Sequence, residues 1–398
     1  MARKTLVALL TMAIGLAFCA SAMAQTATSR GKLSAFPAKT DAMDAAHVKK
    51  AQKMINDGIA FLLAARNKDG SWDMGRGAFK PACTAMVLRV LVAHPDFGPR
   101  HDVVRTGYAA LLKYQQKDGG IYEPKEGVNN YATSLAVMAL AAGGDPQHKP
   151  AMDKAVKYLR TVQIKPGDRR PDGTAVATDS DDVGGVNYGR NTGRPDMSNA
   201  TFWVEAMHEA GVEGDDPAMK RAVDFLTRVQ NNTETSKSKI VAEGPNDGGW
   251  PYSTTESKAG PGPNNRGLRS YGSMTYAGFK SLLYAGVDKN DARVKAAYTW
   301  IRTYWGLDSN PNLPGKQSEQ GLYYYYQAFA KALRAYGQPV IKDIDGKEHN
   351  WRQELVDALA KRVNKDGSWT NDADRWEEGS PILVTCYCLM ALESAMQK

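Results

Sequence analysis

No Cys-x-x-Cys pair occurs in this chain of 398 residues, and cysteine is scarce, with four in all. That removes the usual thiolate metal sites, since Cys386-Tyr-Cys388 alone is a poor metal pattern. No metal and no cofactor is expected. Long apolar runs are nearly absent too. The one found, Leu6 to Phe18, is about a dozen residues, short of the ~20 that span a bilayer. A one-sided charge is also missing. The formal balance is +8, with the basic residues spread along the chain. Solvated helix faces explain such a modest, unclustered excess, so no nucleic-acid partner is expected. What is present, 42% hydrophobic and 24% charged residues, suits a folded globular chain and excludes a disordered or polytopic one.

The short apolar run has a meaning of its own. Arg3 and Lys4 precede it, and Ala22-Met23-Ala24 before Gln25 is an Ala-x-Ala cleavage pattern. Residues 1–24 therefore read as a signal peptide, which predicts a secreted or periplasmic protein. Loss of Arg3 and Lys4 leaves 49 basic residues against 43 acids, a net of +6. Cys19 leaves with the signal, although Phe18 before it is too large for lipoprotein processing. Cys83, Cys386 and Cys388 then remain, open to one disulfide in an oxidising compartment or to burial as free thiols. Residues 25–48 read as a flexible lead-in.

From there the chain repeats itself. Each unit has an amphipathic helix, a Gly-containing turn with an aromatic residue, and a second helix rich in small apolar residues. Units start near 58, 108, 155, 222, 297 and 355. Asp69-Gly-Ser-Trp72, Gly119-Gly-Ile-Tyr122, Gly184-Gly-Val-Asn-Tyr188, Gly248-Gly-Trp-Pro-Tyr252 and Asp366-Gly-Ser-Trp369 mark the turns. Gly accepts the positive φ that reverses the chain, and the aromatic after it is expected to plug back between helices. Thr84, Thr133, Thr201, Thr275 and Thr385 stand at matching places near the starts of the second helices. No polar capping repeat is evident, so closure is favoured over an open solenoid. The expected domain, over 49–398, is all-α: an (α/α)6 toroid with second helices inside and first helices outside. Loops over 164–199 and 231–270 are long for a compact domain and are expected to cover a site.

Asp-Gly-Ser-Trp after an amphipathic helix, repeated around a ring, resembles the prenyltransferase and squalene cyclase repeat superfamily. Gly184-Gly-Val-Asn-Tyr-Gly189, Gly248-Gly-Trp-Pro-Tyr-Ser253 and Gly321-Leu-Tyr-Tyr-Tyr-Tyr326 resemble its exported, single-toroid members, over about 340 residues. The resemblance implies three activities. Triterpene cyclases protonate an alkene with the middle Asp of Asp-x-Asp-Asp. Asp179-Ser-Asp181-Asp182 matches those letters, but it precedes the third turn. The family-equivalent place holds Asp196-Met-Ser-Asn-Ala-Thr201. Protein prenyltransferase subunits hold zinc through Asp-x-Cys, which is absent. Thioester proteins need Gly-Cys-Gly-Glu-Gln, absent as well. The acids a cyclase-like enzyme would use here are Asp181, Asp182 and Asp196, with Asp179 beside them. The 179–182 cluster also reads as a solvated loop or a calcium-binding one.

Two other groupings stand out. Glu205 and His208 are three apart on one second helix, a spacing that suits either a buried hydrogen-bonded pair or a metal or acid–base role. Aromatics gather after the turns, and second helices all begin at one end of the ring, so these side chains should rim one mouth. Tyr188, Trp250, Tyr252, Tyr271, Tyr324 and Tyr325 are the expected ligand-binding set. Successive helical residues lie about 100° apart, so the run Tyr323 to Tyr326 cannot all face one way. Arg190 and Arg194 flank the third turn, where they could hold an anionic group. The function expected is binding of a small apolar or isoprenoid-like ligand, without the cyclase chemistry. A terpenoid-modifying enzyme, an interaction scaffold and a carbohydrate-processing toroid with paired carboxylates are the alternatives.

Overall fold

The computed structural model describes residues 33–398 except 76, 171 and 190–192, and at 240 and 242 the backbone alone. The expected signal peptide and Arg190 therefore lie outside the described residues. The chain divides into two units, Met1–Ala35 and Phe36–Lys398, and the helical domain is the second. Among the described residues twelve helices exceed nine residues: α1 (Ala45–Ala64), α2 (Lys80–Ala93), α3 (Asp102–Leu112), α4 (Asn129–Gly143), α5 (Lys149–Val162), α6 (Met197–Glu209), α7 (Pro217–Val229), α8 (Gly272–Tyr284), α9 (Ala292–Thr303), α10 (Leu322–Tyr336), α11 (Trp351–Ala360) and α12 (Pro381–Met396). None is long and apolar enough to cross a membrane.

Sequence sets which helices face in. Outer α7 buries Ala218, Met219, Ala222, Phe225, Leu226 and Val229, one stripe at helical spacing. Inner α6 is buried from Asn199 to Met207 without a break, as a helix packed on all sides must be. Each even-numbered helix packs on the next, and α12 packs on α2. The six-hairpin ring predicted from the repeats is the observed fold.

The turns fasten one hairpin to the next. Gly184 has φ +85°, and a Cβ there would lie 1.9 Å from the Arg221 carbonyl oxygen of α7. Gly367 has φ +86° and sits on Asp57 of α1, where a Cβ would lie 2.7 Å from the carbonyl oxygen. Only Gly permits both that backbone and that approach. The last turn thus docks on the first helix. Gln115, Gln163 and Gln230 assist by donating to Ala151, Ala218 and Arg293 carbonyls at the start of the following outer helix. The ring seam is further tied by Arg89 of α2 to Glu393 of α12 at 3.2 Å.

Three details differ from expectation. The segment expected to be a flexible lead-in is packed from Phe36 onward. Phe36 and Met43 are buried, Lys39 donates its N–H to the Met396 carbonyl, and Asp44 caps α1. A two-stranded antiparallel hairpin, β1 (Ile341–Lys342) and β2 (Glu348–His349), pairs Ile341 with His349 between α10 and α11. Finally, four of the five aligned threonines reach back to the turns, while Thr201 donates to the Ser198 carbonyl of its own helix. Thr84, Thr133, Thr275 and Thr385 accept the turn N–H of Trp72, Ile121, Trp250 and Trp369. The cysteines Cys83, Cys386 and Cys388 are buried free thiols.

Candidate functional site

The six inner helices begin at one end of the ring, and their first turns enclose a cavity of about 290 Å³. Every one contributes. Phe79 precedes α2, Tyr131 lies on α4, Phe202 on α6, Met274 on α8, Tyr324 on α10 and Tyr387 on α12. The two long loops supply Tyr188 and Tyr252, and Tyr271 directly precedes α8. Toward the floor the rings contact one another: Tyr131 and Phe202 edge-on at 4.9 Å, Tyr324 and Tyr387 edge-on at 5.9 Å. The Tyr131 and Tyr387 hydroxyls meet at 3.0 Å. A mostly aromatic, concave wall with few polar groups is the usual character of a small-molecule site.

Of the six side chains expected to bind a ligand, Tyr188, Tyr252, Tyr271 and Tyr324 line this cavity. Trp250 and Tyr325 do not. Trp250 is wholly buried and donates its indole N–H to the Leu226 carbonyl in the hairpin core. Tyr325 points outward between helices and donates to the Gly306 carbonyl. Of the Tyr323 to Tyr326 run, Tyr324 alone reaches the cavity, as the 100° step between residues requires.

The expected acids fall in two places. Asp181 and Asp182 lie outside the cavity lining. Asp181 accepts from Ser238, and Asp182 pairs with Arg170 at 2.6 Å, so both fasten loops together. No group of three or more metal-ligating side chains exists among the described residues, the 179–182 loop included. Asp196 is different. It caps α6, accepting the N–H and the side-chain amide of Asn199 at 2.9 Å each. Burial pushes its carboxyl up to about 6, against hydrogen bonds from Asn199 and the Tyr252 hydroxyl that pull it down. Tyr252 in turn hydrogen-bonds Tyr188. Asp196 therefore stands behind two cavity tyrosines rather than in the wall.

Glu378 is the acid the sequence reading passed over. It lies in the wall and is 1% exposed. Its oxygens accept the Tyr324 N–H at 2.8 Å and the Asn371 amide at 2.7 Å. Burial lifts it from the ordinary 4.5 to about 7, although Asn371 and the first N–H groups of α10 favour the ionised form. A repeat signal marks it. Glu126 and Glu378 each stand seven positions ahead of their hairpin's threonine, Thr133 and Thr385. Each caps the preceding inner helix, Glu126 through the Phe79 N–H.

Phe79, Trp376 and Glu377 also line the cavity, and all three have left-handed backbone, with φ of 51°, 61° and 65°. Non-glycine residues adopt that conformation at a cost of about 1–3 kcal/mol each, and such strain gathers at ligand clamps. Trp376 packs over Gly321, whose Cβ would lie 3.1 Å from its ring.

The Glu205–His208 pair does not form. Glu205 is buried between Lys280 and Lys331, and His208 is exposed and stacks on Tyr284 at 4.5 Å. Arg194 is exposed.

A pH signature follows from Glu378. Its folded-state value is raised, so the unfolded chain ionises first as pH rises. Stability should therefore fall between pH 4.5 and about 7 and level off above. In Glu378→Gln that loss disappears, and the variant should gain on the parent chain from pH 5 to pH 8 in thermal melts. Parallel curves for the two proteins would refute the assignment.

Comparison with known proteins agrees with the architecture. The squalene–hopene cyclase C-terminal domain family matches residues 78–245. A probable squalene–hopene cyclase of Sinorhizobium fredii is 28% identical over 37% of this chain, and a squalene–hopene cyclase of Bradyrhizobium diazoefficiens is 31% identical over 30% of it. This chain spans about a fifth of the length of those relatives, 22% and 19%. Among solved structures, a variant of the type II terpene cyclase MstE of Scytonema, in complex with geranylgeranyl dihydroxybenzoate, superposes with a TM-score of 0.53 at 14% identity, over 89% of this chain and 99% of that one. With six Gly-turn hairpins closed into one ring, this protein has the fold of the type II terpene cyclases, and its residues 78–245 are similar to the C-terminal domain of squalene–hopene cyclases.

Proposed function

We propose that the ring is an exported, secreted or periplasmic protein that binds a small apolar, isoprenoid-like molecule at the mouth formed by its inner-helix N-termini. The cavity carries this reading: about 290 Å³, with a wall of tyrosine, phenylalanine and tryptophan side chains. That size is at the low end of the ~300–1,000 Å³ usual for small-molecule sites. Relatives named as squalene–hopene cyclases, and a structural neighbour holding a geranylgeranyl compound, support an isoprenoid-like occupant. The acids argue for binding without cyclisation. An alkene is a very weak base, and its protonation calls for a strong, enclosed acid. Asp181 and Asp182 lie outside the cavity lining and Asp196 stands behind Tyr188 and Tyr252, so none of the expected acids faces the cavity.

Native mass spectrometry of the exported protein tests this. A bound apolar molecule should be retained by the parent chain and lost from Ser198→Trp, which fills the cavity from α6. Equal retention by both would place the ligand elsewhere. The second reading is a terpenoid-modifying enzyme using Asp196, favoured by its burial and its contact with Tyr252. It requires turnover of an isoprenoid that Asp196→Asn abolishes.

A further inference from the structure

The cavity wall has a sign. Two carboxylates line it, Glu377 and Glu378, and no Lys, Arg or His does so among the described residues. Glu378 faces Asn371, the first N–H groups of α10, Tyr323, Tyr387 and Cys388. None of those groups is a cation, and no salt bridge among the described residues reaches Glu378. These N–H groups carry only partial charge, so Glu378 has no formal counter-ion, and a full cation beside it would favour its ionised form further. Aromatic faces attract cations through the ring quadrupole, most strongly where water is excluded. The rim already uses this attraction. Lys258 lies 4.4 Å over the Tyr252 ring, and Arg375 lies 4.8 Å over Trp376.

Two effects oppose a cationic ligand, the like charge of Lys258 and Arg375 at the rim, the first of them paired with Glu256, and the helix ends. Six helix N-termini converge here, and their partial positive charges favour anions. Three of these ends are already answered by carboxylates, since Glu126 caps α2, Asp196 caps α6 and Glu378 caps α10. The dipole effect falls off within a turn, whereas Glu378 and the rings of Tyr324 and Tyr387 lie in the wall itself.

We infer that the cavity takes a ligand bearing an ammonium group on an apolar body, with the ammonium beside Glu378 and among the rings of Tyr324 and Tyr387. The inference rests on the cavity being the binding site and goes further by assigning the charge of the occupant. A cation there would hold Glu378 ionised. Burial lifts its carboxyl to about 7, so binding of a cation near that pH should release a proton.

Three probes of one size decide the matter: benzyltrimethylammonium, its neutral carbon isostere neopentylbenzene, and the anion phenylmethanesulfonate. Calorimetry and competition should show the cation bound about tenfold more tightly than the isostere, a preference typical of a desolvated cation–π and carboxylate site. The anion should fail to compete. Titration in buffers of different ionisation enthalpy should report proton release with the cation alone. Glu378→Gln should lose the preference and the proton release while still binding the isostere. If that variant does not fold, the ratio in the parent protein still decides. An isostere or anion bound as tightly as the cation would overturn the inference and leave the cavity reading standing. Failure of all three probes, with no co-purified molecule, would overturn both.

Discussion

Trp72→Ala, Trp250→Ala and Trp369→Ala should each destabilise the ring by about 3–5 kcal/mol, the usual range for truncating a fully buried Trp. The three indoles are wholly buried and share one geometry. Each indole N–H donates to an outer-helix carbonyl of its own hairpin: Leu62 at 2.6 Å, Leu226 at 2.8 Å and Leu359 at 3.0 Å. Each backbone N–H donates to the threonine of its inner helix. Removing the side chain therefore opens a cavity and takes away one hydrogen bond, although the Leu226 and Leu359 carbonyls still accept from the Gln230 and Arg362 N–H groups, so the cavity dominates the loss. Trp376→Ala is the control. That indole is 39% exposed at the cavity rim, so its truncation removes less buried area and should cost less than any of the three. Chemical denaturation of the four variants distinguishes the cases. A loss below about 1 kcal/mol for the buried three would show that the turns do not anchor the ring.

The plug position also shows how far the repeat could be read. In the third hairpin Val186 occupies the place of Trp72, Trp250 and Trp369, as Ile121 does in the second, and the aromatic expected to plug it, Tyr188, lines the cavity. The structure fills the place from the inner helix instead. Trp203 donates to the Leu159 carbonyl, the counterpart of Leu62, Leu226 and Leu359. A packing demand was legible in the repeat, and four hairpins meet it with an indole that donates to the outer helix. Its source was not, because helix and turn can both reach it. The site followed the same division. Tyr188, Tyr252 and Tyr271 were found because they follow turn glycines, which fixes them at the mouth. Phe202, Tyr131 and Tyr387 sit beside or two residues from the aligned threonines, yet a helical aromatic near a buried Thr reads equally well as core. Asp181 and Asp182 drew attention by their letters and proved to be loop fasteners. Glu378 carried no family motif, and only its alignment with Glu126 sets it apart.

Glu205→Leu should cost about 3–5 kcal/mol, the usual consequence of removing one partner from a buried ion pair. Glu205 is fully buried on α6, three residues beyond Phe202 and so one turn below the cavity. Lys280 of α8 and Lys331 of α10 both donate to it. Burial alone would raise its carboxyl, but the two ammonium groups hold it down at about 2. The folded value is depressed, so the stabilisation is present above the unfolded carboxyl range and is lost as pH falls toward 2. Desolvation pushes Lys280 down despite Glu205. The cluster continues through Arg89, which faces Glu209 at 3.6 Å and Glu393 at 3.2 Å. Three cations and three carboxylates thus balance at the ring's centre. Removing Glu205 alone leaves three against two, and the ammonium groups lose their acceptor. Removing Glu205 and Lys280 together restores the balance, because Lys331 still faces Glu209 electrostatically. Glu205→Leu/Lys280→Met should accordingly recover most of the single variant's loss, giving a coupling of about 2–3 kcal/mol in a double-mutant cycle. Simple additivity would show that the pair contributes nothing specific. It would also leave unexplained why a ring with an apolar mouth keeps charge directly beneath it, where six inner helices of small apolar residues could otherwise close on one another.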